Sequence, residues 1–275
     1  VKKQNAFELS AKIATRAAAG ITIGTLVFLV GFILVKGIPY IKPSLFSFTY
    51  NSENVSLMPA LISTIIMTLF SLLIAVPFGV FSAIYLTEYA GRGNKAVALI
   101  RVTTETLSGI PSIVYGLFGM LFFGAFLGWG FSLLAGAFTL AIMILPLIMR
   151  SSEEALKAVP DTYREGAFGL GAGKLRTVFK IVLPSAIPGI LSGIILAVGR
   201  IVGETAALIY TAGTVAQIPT NPMMSVRTLS VHMYALSSEG LHMNEGYATA
   251  VFLLLVVMLI NMVSAKIAKK IGGAV

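Results

Sequence analysis

Four long stretches of this chain carry no charged residue, and their lengths predict what they are. Ala17–Val35, Leu57–Thr87 and Tyr247–Ala265 match or exceed the roughly 20 apolar residues that an α-helix needs to cross a bilayer. The second is long enough to tilt or to bend at Pro77. Thr106–Met149 has room for two such helices, with Gly128-Trp129-Gly130 as the natural turn between them. A fifth stretch, Ile187–Ala212, is apolar apart from Arg200 and Glu204. The pattern predicts an all-α polytopic membrane protein of about six transmembrane helices, forming a single transmembrane domain over residues 1–275.

The polar segments between the runs predict the connections. Lys36–Ser56 and Gly213–Gly246 are sizeable loops on one side of the bilayer. Arg150–Ala186, on the other, far exceeds the roughly two to eight residues that join packed helices, so it is expected to have a function of its own.

Composition and charge sharpen this picture. The chain is 57% hydrophobic and only 11% charged, too apolar for a water-soluble core to hide. Sixteen of the twenty Lys and Arg fall on one side: Lys2, Lys3, Lys12 and Arg16; Arg92, Lys95 and Arg101; Arg150, Lys157, Arg164, Lys174, Arg176 and Lys180; Lys266, Lys269 and Lys270. The opposite loops hold only Lys36, Lys42 and Arg227. This bias places both termini in the cytoplasm and accounts for the net charge of +9 without nucleic acid. The basic start and apolar first run resemble a signal peptide, but the run is too long and no small-residue cleavage site ends it, so it reads as an uncleaved first span. The absence of cysteine excludes disulfides, thiolate metal sites and cysteine nucleophiles.

Inside the long basic loop, Ser151-x-x-Glu154 and Thr162-x-x-Glu165 fit capping boxes, with Pro160 between them. Gly169, Gly171 and Gly173 then break the chain, and Lys174–Leu183 is a short basic amphipathic stretch ending at Pro184. The prediction is a helix, a glycine corner and a second short helix before the chain re-enters the membrane. The stretch around Gly169–Lys174 lacks the GxxxxGK[ST] spacing of a phosphate-binding loop, so any ATP must be hydrolysed by another chain.

Within the membrane, Arg200 and Glu204 stand four apart and are predicted to share a helix face. An arginine at membrane depth costs about 2.5–3.5 kcal/mol on insertion scales, so it is expected to face a cavity or a partner. Its planar fork matches the oxygens of a phosphate, with Glu204 holding it when the site is empty and aiding release. An ion pair that merely fixes helix packing is the alternative. Gly199 and Gly203 are predicted to let a neighbouring helix pack closely. Ser108, Ser112 and Tyr115 offer hydroxyls beside a Gly109-Ile110-Pro111 break of the kind tolerated where it lines a cavity, although a simple proline kink would also explain it. His232 and His242 lie ten apart in a loop without clustered carboxylates, which argues against a metal site, and nothing calls for a cofactor. No Ser/His/Asp arrangement falls on one element.

The motifs now resemble a family. Glu165-Gly166-Ala167, Gly171, Ile181, Leu183 and Pro184 match the spacing of the cytoplasmic loop shared by permease subunits of ABC importers, with Gly166 where alanine is usual. Glu154-Ala155-Leu156 is a decoy, because Pro160 sits where the glycine should be. The runs Gly199-Arg200-Ile201-Val202-Gly203-Glu204-Thr205-Ala206 and Glu105–Gly116 are similar to the phosphate-specific group, nearest its PstA type. The resemblance, covering about residues 57–265, implies the type I ABC importer permease fold and a coupling helix within Ser152–Gly173 that docks on an ATP-binding subunit. It further implies a periplasmic phosphate-binding protein, a PstC-like second permease, and a substrate pathway through Arg200, Glu204, Thr205, Ser108, Ser112 and Tyr115. A permease for molybdate or sulfate, an intramembrane enzyme centred on Arg200 and Glu204, and a channel or secondary transporter stay open; the coupling loop disfavours the enzyme.

Overall fold

A computed structural model describes residues 2–91 and 93–272; Arg92, one of the basic residues counted above, lies outside them. In chain order the helices are α1 (Lys2–Gly37), α2 (Met58–Ile84), α3 (Lys95–Ser108), α4 (Ser112–Gly119), α5 (Leu133–Lys157), α6 (Asp161–Gly169), α7 (Lys174–Thr177), α8 (Leu183–Gly203), α9 (Ala206–Thr211), α10 (Leu229–Glu239) and α11 (Met243–Gly272). Among the described residues five helices are long and apolar enough to cross a membrane, and the bent pair α3–α4 brings the number to six. We call the end carrying the 150–186 loop the basic end.

The bundle is built around α5, whose apolar window is two-thirds buried. Lipid tails give no hydrophobic drive to helix association, so close backbone approach matters more. Gly79 of α2 abuts Ile148, Gly119 of α4 abuts Thr139, and Gly189 and Gly193 of α8 abut Ala155 and Ser151. A methyl group at any of these positions would collide with α5. By contrast α1 docks through its far end, where Phe32 lies edge-on to Tyr247 and Gly37 rests on the Tyr247 carbonyl.

Three elements differ from the sequence expectations. Residues 95–108, where the pattern predicts a connection followed by the start of a span, form one helix at 100° to the next, and the chain turns at Gly109–Pro111. Pro184 does not end a helix: Lys174–Gly203 is one continuous span-length helix. A π-turn at Val178–Val182 ends two residues before Pro184, so the altered hydrogen-bond ladder adjoins the residue that lacks an N–H. Neither capping box forms. Ser151 is interior to α5 and donates to the Ile148 carbonyl, while α6 starts after Pro160 with no side-chain cap. The expected turn at Gly128-Trp129-Gly130 is present, both glycines holding positive φ (71° and 58°) and Trp129 stacked on Phe123.

Candidate functional site

Arg200 lies in the last turn of α8, and Glu204 does not share its helix. The ladder stops at Gly203; Glu204 is extended (φ −71°, ψ 130°), and α9 restarts at Ala206. The expected i,i+4 pair is therefore absent, because the carboxylate has another use. Glu204 Oε1 accepts from the Ala207 N–H at 3.0 Å, satisfying an orphan donor of α9, and the Glu204 carbonyl accepts from Ser230 Oγ at 2.6 Å. Among the described residues no carboxylate lies within 4 Å of Arg200.

The half-buried guanidinium instead lines a cavity of about 710 Å³ with Leu147, Ser192, Leu196, Gly199 and Asn261. Its walls are mostly aliphatic. Gly199 and Gly203 pack against no other helix among the described residues of this chain, since a Cβ at either would meet nothing within 4 Å. Gly199 therefore leaves open space beside Arg200. Ser192 and Asn261 escaped the sequence reading; Asn261 was findable as a lone amide in the apolar run of α11.

The other expected pathway residues separate into two groups. Tyr115 is buried, and its hydroxyl donates to the Leu107 carbonyl at 2.8 Å across the Gly109–Pro111 break. It thus braces the corner between α3 and α4. Thr205 is half-buried beside Glu204, its hydroxyl making only a long 3.4 Å contact with the Gly203 carbonyl. Ser112 is half-buried in the first turn of α4. Ser108 is exposed at the end of α3 with its hydroxyl committed to the Glu105 carbonyl at 2.7 Å.

At the basic end the predicted corner forms. α6 ends in Leu170, Gly171 takes φ +80°, and α7 follows. Glu165 and Gly166 are exposed, whereas Ala167 is buried and Ile181 and Pro184 are half-buried. Tyr163, Phe168, Leu170 and Leu175 leave large apolar side chains in the open, Leu170 at 91% exposure. No local motif marks what anchors this helix. Arg164 reaches Glu88 at 2.6 Å, on the π-turn (Tyr85–Tyr89) that closes α2, and donates to the Leu156 and Val159 carbonyls at 3.0 and 2.8 Å. The Glu88 hydrogen bond, opposed by burial, raises the Arg164 pKa further above its already high value.

Residues 75–271 match the family model described as binding-protein-dependent transport system inner membrane component. The chain belongs to this family. It is 34% identical to a probable ABC transporter permease protein, YqgI, of Bacillus subtilis, over 81% of each chain. It is 35% identical to the phosphate transport system permease protein PstA 1 of Mycobacterium tuberculosis, covering 76% of this chain and 69% of that one. Its fold resembles a chain of a bacterial alginate ABC transporter solved with its periplasmic protein (TM-score 0.67, 15% identity, 93% of this chain and 95% of that one). A chain of the MetNI methionine ABC transporter gives a TM-score of 0.61 at 22% identity, over 78% of this chain and 94% of that one. The fold is that of an ABC importer permease, a multi-pass inner membrane component.

In this binding-protein-dependent permease the end opposite the basic one also holds a buried cation. Arg227 is 5% exposed, its guanidinium carbon 4.8 Å from the centre of the Tyr50 ring, and its Nε has no hydrogen-bond partner. His232 is fully buried edge-on to the same ring. Neither ring nitrogen makes a well-formed hydrogen bond, although the Val55 backbone lies close enough to act on the ring. Burial, then Arg227, lowers the His232 pKa to about 3, so the imidazole is neutral. Val55 itself holds φ +40°, a strained conformation for a β-branched residue.

Proposed function

We propose that this chain is the PstA-type permease subunit of an ATP-driven importer of inorganic phosphate. The observation that carries the reading is Arg200: a half-buried guanidinium with no carboxylate partner among the described residues, opening onto a cavity beside a helix break, in a chain about a third identical to phosphate permeases. A guanidinium fork free of internal partners is available to an oxyanion. Glu204 holds the break open by capping α9, and Thr205, Tyr115 and Ser112 supply hydroxyls around it. Residues 1–275 act as one transmembrane domain with both termini and the 150–186 loop in the cytoplasm. There α6 docks on an ATP-binding subunit, which hydrolyses the ATP, through Glu165, Gly166, Ala167 and the exposed apolar side chains beside them. Gly171, Ile181 and Pro184 set the corner behind it. The Arg164–Glu88 link carries movement of α6 into α2. A PstC-type second permease completes the pathway, and a phosphate-binding protein delivers substrate to the opposite end.

The test is uptake of radiolabelled phosphate by permease-deficient cells given this chain with its partner subunits, with sulfate and molybdate as competitors. Uptake that requires a hydrolysis-competent ATP-binding subunit and resists both competitors is expected. Transport of sulfate or molybdate in place of phosphate by the assembled complex reassigns the substrate; uptake without ATP-binding subunits contradicts the importer.

A further inference from the structure

The basic end carries a cluster of cations that the substrate pathway does not use. Two adjoining hollows, of about 510 and 380 Å³, lie between the π-turn closing α2, the start of α3, the end of α5 and α6, and they share Thr87, Ala90 and Arg101. Around them stand Arg101, Lys157, Arg164 and Lys174, with Lys95 in the smaller hollow. The carboxylates present neutralise only part of this charge. Glu88 and Asp161 both serve Arg164, and the buried Glu153 is shared at 2.7 Å by Arg101 and by Lys157. Lys95 and Lys174 have no carboxylate within 4 Å among the described residues; the Lys174 ammonium lies over the Tyr89 ring at 5.1 Å instead. Five cations thus face three carboxylates.

A second observation points to a ligand. The Thr87 hydroxyl, on the π-turn that closes α2, is buried and has no hydrogen-bond partner among the described residues, although a hydroxyl inside a helix ordinarily bonds back to the carbonyl four residues earlier, as Thr64, Thr68 and Ser71 do on α2. Thr87 lines both hollows. An unpaired hydroxyl beside an excess of two positive charges matches a tetrahedral dianion, which supplies an acceptor for the hydroxyl and charge for the two ammonium groups.

We propose that these hollows bind a phosphate group from the cytoplasmic side, as inorganic phosphate or as the phosphate of an anionic lipid headgroup. The site draws on the orientation given above but not on the role of Arg200. Because Arg164 and Asp161 of α6 form one wall, occupancy is tied to the position of the helix that meets the ATP-binding subunit. It gives the transporter a reading of phosphate on the side where phosphate is delivered.

The test is lysine labelling by an amine-reactive reagent, read by mass spectrometry residue by residue, on the assembled complex in a maltoside detergent that contains no phosphate. Adding inorganic phosphate, against chloride at equal ionic strength, is expected to reduce labelling of Lys95 and Lys174 about tenfold while leaving Lys12 and Lys266 unchanged, and Thr87→Val is expected to raise the concentration needed by roughly tenfold. Protection of the same two lysines in phosphatidylglycerol nanodiscs before any phosphate is added identifies the headgroup as the occupant and supports the site. Equal response of all four lysines, no protection in either medium, or indifference to Thr87→Val overturns it.

Discussion

Glu204 decides between two accounts of the membrane-embedded charges. If it were the counter-ion of Arg200, Glu204→Gln and Glu204→Ala would be equally harmful. In this structure it is a cap, accepting from Ala207, and Gln retains an acceptor oxygen. Transport by Glu204→Gln is therefore expected to stay within about threefold of the parent, whereas Glu204→Ala loses about 1 kcal/mol of local stability and most uptake. Equal loss in both, measured at matched membrane levels, restores the ion pair. His232 makes the second prediction at this scale. Its folded-state pKa of about 3 lies below the usual value near 6.5, so between those values the unfolded state binds more protons. Stability of the α10 region is then level above about pH 6.5 and falls as pH drops toward 3, by up to about 1.4 kcal/mol per unit. Hydrogen exchange in α10 should show this fall, and His232→Phe should flatten it; an unchanged profile in the variant contradicts the assignment.

Gly166 stands where alanine is usual, is exposed, and has nothing within 4 Å of a Cβ position. Gly166→Ala is accordingly expected to stabilise α6 by about 0.5–1 kcal/mol without loss of coupling, seen as slower exchange in residues 161–169. Loss of ATP-driven uptake would mean that the partner groove needs the bare glycine. The Glu88–Arg164 pair is 8% and 15% exposed, so removing one partner leaves a buried charge; Glu88→Ala should destabilise the basic end by about 3 kcal/mol. Uptake would fall while the chain still inserts, and normal coupling in that variant contradicts the anchoring role. These elements also show what the sequence could and could not reveal. The glycine corner was legible because positive φ at Gly171 calls for a specific residue. Glu88–Arg164 was not, because the two residues lie 76 positions apart and only the fold brings them together. The capping boxes misled because Ser151 continues a helix already running through α5, and a local motif carries no information about the turn before it.

At the scale of the whole molecule, the number of spans was legible because a bilayer imposes length and apolarity directly, but their limits were not: the span expected at Ile187–Ala212 runs from Lys174 to Gly203. The break after Gly203 was not: the apolar pattern runs straight through it, and only the capping of α9 by Glu204 and the Ser230 hydrogen bond mark it. Arg200 was found by its cost in lipid, but its freedom from a carboxylate, and the cavity it shares with Asn261 and Ser192, required three dimensions. That freedom is the centre of the account, and one comparison tests it: ATP-dependent phosphate uptake by the parent and by Arg200→Gln, with the complex intact at equal membrane levels. Uptake by the parent with a loss of at least about a hundredfold in the variant is expected, in keeping with removal of a charge-assisted anion contact in an apolar cavity. Equal uptake by the two would leave Arg200 without a part in binding the anion and contradict the account.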